Sequence, residues 1–320
     1  MISRRDFLKL GAGVGAGVLL PHGIGANALR LMAQAPGGPV PVGALLDPRT
    51  LTKYIDPLPV PGPILPPGTT SFEIGAYAKT QQLHSQLPAP TPIWGYGTSA
   101  GTASFPAATI EVTRNTPIDV HWTNNLTGSH PLQVDPTMHW ANPAHQGYPV
   151  IGDPFDLITI PLSPHVHGGE QEAASDGHPD AWFTPGFALK GPGWQHETFH
   201  YHNEQPPTTL WYHDHALGIT RLNVYMGLAG FYIVRDPATE TALGLPSGEF
   251  EIPLVIQDRL FDINGQLVYP VGGDNPTIHP FWVPEFFGDT MLVNGAVWPV
   301  LDVKPGKYRF RILNGSNARF

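Results

Sequence analysis

Fifteen histidines and no cysteine set the chemistry open to this 320-residue chain. Without thiols there are no disulfides, no thiolate zinc sites and no cysteine nucleophiles. A blue-copper site is also ruled out within the chain, because it needs a Cys thiolate. Metal chemistry must therefore use imidazole. Two His-x-His pairs stand out, His165-Val166-His167 and His213-Asp214-His215. In extended backbone, residues i and i+2 face the same way, so each pair aims two rings at one region, about 6–7 Å apart along the chain. Two such pairs on neighbouring strands would bring four neutral nitrogen ligands together. Imidazole suits copper, zinc, iron and nickel. Four nitrogens with no thiolate and no facial carboxylate lean towards copper, and residue types alone leave the metal open.

Spacing by itself is weak evidence. His200-Tyr201-His202 has the same spacing but alternates with Phe199 and Tyr201; it reads as a half-buried strand with aromatics inward and histidines towards solvent. His121, before Trp122, reads as structural. His22, His84, His130, His139, His145, His178, His196 and His279 are lone positions without a specific signal. The flanks separate the favoured pairs from these. Gly168-Gly169 follows the first, where backbone is expected to pass close to a packed site. Leu210-Trp211-Tyr212 precedes the second and is expected to wall it off. Asp214, between two ligands, points to the opposite side of its strand and reads as a supporting hydrogen-bonding group. Asp176-Gly177 reads first as a turn.

The elements that must carry these residues read as short strands. With 36 Gly and 37 Pro beside abundant aromatics, many turns joining short strands fit an all-β sandwich or barrel. Strands are expected at Ser71 to Lys79, Thr109 to Arg114, Pro117 to Asn124, Trp211 to Tyr212 and Gly227 to Arg235. Pro92 to Gly97 reads as turn-rich, and Leu51 to Pro67 is too proline-dense for helix or central strand. Asp236 to Glu249 reads as a linker, after which Glu251 to Arg259, Thr290 to Asn294 and Lys307 to Leu313 open a second β-domain. The expected division is a signal region at 1–35, a first domain at 36–240 and the start of a second at 241–320, which is read as truncated because about 70 residues are too few for a sandwich of the first domain's class.

Net charge is −9 with no basic stripe, which argues against a nucleic-acid partner. Beyond the N-terminus no apolar run reaches the length of a membrane span. The N-terminus itself is an address. Ser3-Arg4-Arg5-Asp6-Phe7-Leu8-Lys9, an apolar stretch from Leu10 to Leu20, and Ala26-Asn27-Ala28 as a cleavage site are similar to a twin-arginine export signal. Such signals carry folded proteins, and a periplasmic or extracellular location is expected.

The sequence resembles the multicopper oxidases, nearest to the bacterial spore-coat laccase and bilirubin oxidase branch. The resemblance spans about residues 45–320. It rests on His165-Val166-His167-Gly168-Gly169, Ser175-Asp176-Gly177, Ala181-Trp182-Phe183-Thr184, the run from Thr209 through His213-Asp214-His215 to Tyr225, Leu292 to Pro299 and Lys307 to Asn314. It implies cupredoxin-like Greek-key β-sandwich domains, three in a complete member, with a trinuclear copper cluster shared by the first and third. By position, His165 would hold the type 2 copper, and His167, His213 and His215 the type 3 pair. The other four cluster ligands, and the type 1 copper with its Cys, would lie in the third domain. The implied reaction takes single electrons from a small-molecule or metal-ion donor and reduces dioxygen to water, with Asp176 in the position of the acid that supplies or relays protons. Two rivals remain. A copper-free, exported structural relative is opposed by four intact histidines. A cupin-type metal oxygenase would need a Glu ligand, and the glycines around Glu170 and Glu172 do not suit it.

Overall fold

The computed structural model describes residues 44–135, 138, 159–270 and 285–320. The signal region, His22, His139, His145 and His279 lie outside them. Twelve strands and two short helices are found among the described residues. They are β1 (Ser71–Gln81), β2 (Thr91–Gly97), β3 (Ala107–Thr113), β4 (Ile118–Asn124), β5 (Pro164–His167), β6 (Thr198–Tyr201), β7 (Thr208–Asp214), α1 (Thr220–Met226), β8 (Ala229–Arg235), α2 (Pro237–Ala242), β9 (Glu251–Arg259), β10 (Thr290–Val293), β11 (Ala296–Val297) and β12 (Arg309–Asn314). They build three four-stranded sheets, ordered β2-β1-β4-β6, β3-β8-β7-β5 and β11-β10-β9-β12. Each sheet has one parallel pair between strands distant in sequence: β1 with β4, β3 with β8, and β9 with β12. The arrangement is cupredoxin-like.

Alternation explains the first sheet. In β4, Ile118, Val120, Trp122 and Asn124 are buried while Asp119, His121 and Thr123 are half-exposed, as one packed face requires. Its inward rings meet those of the second sheet. Trp122 lies edge-on to Tyr96 and 5.9 Å from Tyr212, and its indole N–H donates to the Tyr201 hydroxyl at 3.2 Å. The second sheet is covered on its other side as well, so β8 is buried at six of seven positions. There Phe231 and Ile233 pack with Val255 of β9 and with Leu313.

The proline-rich lead-in forms no strand. It runs as a strap, with isolated bridges from Leu45 to Asp262, Pro57 to Val300 and Pro63 to Thr109. Leu51 and Leu46 close a cluster with Leu83, Ile93, Phe105 and Leu292.

Three local expectations are corrected. Pro92–Gly97 lies in strand β2, not in a turn. Its glycines are needed because a Cβ on Gly95 would stand 2.4 Å from the Ser104 carbonyl oxygen, a close backbone approach. Gly227 does not open a strand: α1 precedes it, and Gly227 ends that helix at φ 127. The stretch read as a linker holds α2, whose N-cap Asp236 accepts from the Thr239 N–H with Pro at the first turn, a favourable helix start.

Candidate metal centre

The four favoured histidines come from one antiparallel pair. β5 and β7 place His165 directly opposite His213 and His167 opposite Trp211. His215 follows β7, and its N–H donates to Ser163 O at 2.8 Å. Residues two apart, or directly opposite across a ladder, share a face, so all four rings gather on one side of the β5–β7 pair. Ring centres are 5.8 Å apart for His165–His167, 5.5 Å for His165–His213, 5.5 Å for His167–His213 and 4.5 Å for His165–His215. One nitrogen from each of His165, His167 and His213 lies within 4.8 Å of the others.

Hydrogen bonds fix which nitrogen faces inward. Nδ1 of His165 is 2.5 Å from Asp176 O, Nδ1 of His213 is 2.7 Å from Asp214 O, and Nδ1 of His215 is 3.2 Å from Gly177 O. A carbonyl oxygen only accepts, so each Nδ1 carries the hydrogen and each Nε2 keeps its lone pair. His167 Nδ1 sits 3.3 Å from His213 Nε2. Burial also favours the neutral form of His167, His213 and His215, as ligation requires. Burial, followed by the neighbouring rings, pushes His213 down to about 3. Burial and His165 lower both His167 and His215. Three oriented, unprotonated Nε2 atoms with a fourth imidazole beside them fit copper; the set is all nitrogen, and its backbone carbonyl partners are those that tune metal-bound histidines.

Supporting residues complete the frame. Asp214 is fully buried and turns away from the rings, as its place in the strand implied. Its carboxylate accepts from Ser163 N at 2.9 Å, Ala216 N at 3.2 Å and Asn223 Nδ2 at 2.9 Å, tying β5, β7 and α1 together, and burial pushes its pKa up to about 7. Asn223 also donates to Pro161 O. Asp176 ends a 3-10 turn, Ala173–Ser175. Beyond the carbonyl that holds His165, its carboxylate accepts from Gln171 Nε2 at 2.7 Å and lies 3.4 Å from His165 Nδ1.

Trp211 alone of the three bulky residues forms the wall, with its ring 4.1 Å from that of His213 and 5.7 Å from that of His167. Tyr212, one residue on, points into the sandwich core. The close backbone approach expected at Gly168-Gly169 occurs at Gly177 instead. Gly168 serves a turn at φ 82, whereas a Cβ on Gly177, at φ 71, would lie 1.9 Å from Pro164 O. Sequence reasoning missed Ser163, Gln171 and Asn223. Of these only Asn223 left a trace, as a polar residue in the buried Leu222–Met226 run.

His200 lies on β6, in the other sheet, and His202 directly follows that strand; they sit beside Asp119 and Glu172 respectively. Phe199 and Tyr201 between them are buried, as the alternation implied. His130 is buried edge-on to Trp94, and burial pushes it down to about 3. His84 is buried with Nε2 2.9 Å from Thr52 O. His121 contacts Thr198, His178 pairs with Asp180 at 2.5 Å, and His196 lies against Phe199.

Comparison with known proteins agrees with this geometry. Residues 155–239, which include all four histidines, match a family model described as multicopper oxidase, and residues 1–21 match a twin-arginine translocation signal sequence. The chain is 47% identical over 251 residues to multicopper oxidase LPR1 of Arabidopsis thaliana, covering 78% of this chain and 41% of that protein. It is 44% identical over 277 residues to a laccase of Bacillus subtilis, covering 84% and 51%. Among solved structures, McoA multicopper oxidase of the hyperthermophile Aquifex aeolicus superposes with a TM-score of 0.60 at 29% identity, covering 84% of this chain and 47% of that one. The chain thus spans about half the length of these relatives. An export signal, cupredoxin-like sheets and a four-histidine strand pair that falls wholly inside the matched segment lead to one assignment: this chain belongs to the multicopper oxidase family.

Proposed function

We propose that the chain supplies one half of the ligands of a trinuclear copper centre in a laccase-like oxidase. In this reading residues 36–240 form a first cupredoxin-like domain and 241–320 begin a second. His165 holds the type 2 copper; His167, His213 and His215 hold the type 3 pair. The remaining four ligands and the thiolate of the type 1 copper belong to sequence beyond the half matched in the relatives. When bound, copper supplies one-electron redox steps that couple oxidation of a small-molecule or metal-ion donor to reduction of dioxygen to water. The chain's own residues orient and protect. The carbonyls of Asp176, Asp214 and Gly177 fix the ligand tautomers, Asp214 and Asn223 hold the two ligand-bearing segments in register, and Trp211 covers the rings. The Asp176 carboxylate, held by Gln171 beside His165, is placed to hand protons to the site. Export through the twin-arginine pathway delivers the protein to the periplasm or beyond.

The observation that carries this reading is the convergence of three imidazole nitrogens within 4.8 Å, with His215 stacked at their side. Its test is copper bound per chain after reconstitution and dialysis against a chelator. The 320-residue chain should retain less than one copper, because an open half-set lacks its closing ligands. The protein extended to the length of its relatives should retain the full complement and consume oxygen with a phenolic donor. Three tightly held coppers in the 320-residue chain would overturn the half-set assignment. An extended protein that holds none would favour the copper-free relative.

A further inference from the structure

The polar face of the first sheet carries a second histidine group that the copper centre does not use. His200 stands opposite Asp119 across β4 and β6, and its Nδ1 is 2.7 Å from Asp119 Oδ1. His202 Nε2 is 3.1 Å from Glu172 Oε1. The two rings lie 4.6 Å apart at 81°. Both are about two-fifths exposed, so an ion could reach them from solvent.

The chemistry of each pair is specific. An ionised carboxylate only accepts, so the hydrogen of neutral His200 sits on Nδ1 and that of neutral His202 on Nε2. His200 Nε2 and His202 Nδ1 then carry free lone pairs. A carboxylate behind an imidazole is also the arrangement that orients a metal-bound histidine and raises its basicity. The spacing is suitable too. With metal–nitrogen bonds of about 2.0–2.1 Å, a ring centre lies about 3 Å from its ion, so two rings bound side by side have centres roughly 4.5–5 Å apart. Glu172 opens the 3-10 turn that ends at Asp176, and the His200 N–H donates to Ser175 Oγ of that turn at 2.9 Å. The backbone under His200 is thereby held by that turn as well as by β4.

We propose that His200 and His202, backed by Asp119 and Glu172, form an auxiliary surface site for a divalent transition-metal ion of borderline softness, of the copper or zinc kind, separate from the four-histidine centre. Two protein nitrogens hold the ion, and water completes its shell. Such a site binds more weakly than a closed one and exchanges its metal with solvent.

Zinc alone is the probe. Calorimetric titration of Zn(II) into the chain carrying His165→Ala, His167→Ala, His213→Ala and His215→Ala, which removes every ring of the main centre, should leave one binding event. Adding His200→Ala or His202→Ala should weaken that event at least tenfold, and Glu172→Gln should weaken it several-fold while preserving shape. Circular dichroism of each variant identifies any that fail to fold; Glu172→Gln alters no packing and is decisive if an alanine variant does. Zinc affinity indifferent to His200, His202 and Glu172, or no zinc event at all in the folded quadruple variant, overturns the site.

Discussion

At the residue scale, identical spacing hides opposite roles. His213 and His200 each belong to a His-x-His, yet His213 is buried among three other imidazoles and His200 faces solvent beside Asp119. In the extended, copper-loaded protein, His213→Ala should remove the copper that survives chelator treatment and abolish oxygen consumption, because partners in a multinuclear site lose their fixed geometry. His200→Ala should leave that tightly held copper unchanged and shift stability by no more than about 0.5 kcal/mol. Copper analysis of both variants decides; equal loss would mean that the metal-facing side of the sheet has been misplaced. The pairs were legible because residue type and period 2 suffice to aim a ring. Gly177 was not read as a packing residue, since its constraint comes from Pro164 O thirteen positions upstream. Gly177→Ala would set a Cβ against that oxygen in a backbone region unsuited to side chains. It should destabilise by about 2–4 kcal/mol, seen as a lower chemical-denaturation midpoint, and should loosen His215, whose Nδ1 partner is Gly177 O. A midpoint equal to wild type would contradict the close approach.

At the element scale, β8, α2, β9 and β12 are joined by charge. Arg235 of β8 donates to Glu251 at 2.7 Å and to Glu111 at 3.0 Å, Arg309 of β12 donates to Glu240 of α2 at 2.8 Å, and Arg311 donates to both Glu251 and Thr209. The Glu251 and Arg311 side chains are only 4% and 5% exposed. Burial alone would raise Glu251, but hydrogen bonds from Arg235 and Arg311 hold it below its ordinary value of 4.5. A depressed carboxylate stabilises the fold above its unfolded pKa, and that contribution is lost as pH falls through the folded value. Stability should therefore decline as pH drops below about 4.5. Glu251→Gln should remove about 3 kcal/mol at neutral pH, near the low end for a buried pair because Glu240 remains within reach of Arg309, and should flatten that acid limb. An unchanged limb in urea titrations across pH would mean that other carboxylates set it. Sequence patterning gave no hint of this junction. β12 reads as an ordinary strand, but it carries its arginines inward and Phe310 and Ile312 outward, an inversion that only its neighbours' carboxylates explain. α1 was missed for another reason: Leu222 to Met226 are all buried, so no helical alternation of polar and apolar positions shows.

For the whole molecule, the absence of cysteine fixes what the chain can do alone. The intense blue absorption of a type 1 copper needs a Cys–copper bond, so the copper-treated 320-residue chain should show neither that band nor oxygen-coupled oxidation of phenols. Appearance of the band would contradict the residue inventory outright. The all-β class was legible because Pro and Gly punctuation exposes short strands, whereas the cupredoxin-like arrangement was implied only by the family resemblance. The third layer over β8 was not, since a strand buried on both faces looks the same in sequence whichever sheet covers it.

The strap also bears on time. Leu45 is pinned by Asp262 and Pro57 by Val300, so each waits for a partner far along the chain. At a synthesis rate of about 5–20 residues per second, that wait is roughly 12–50 s. The export signal at residues 1–21 emerges long before the strap behind it can be fastened, and fastening requires β9 to β11 to be in place. The strap therefore acts as a latch on the order of events: the stretch behind the address is secured only after β9 to β11 have been made.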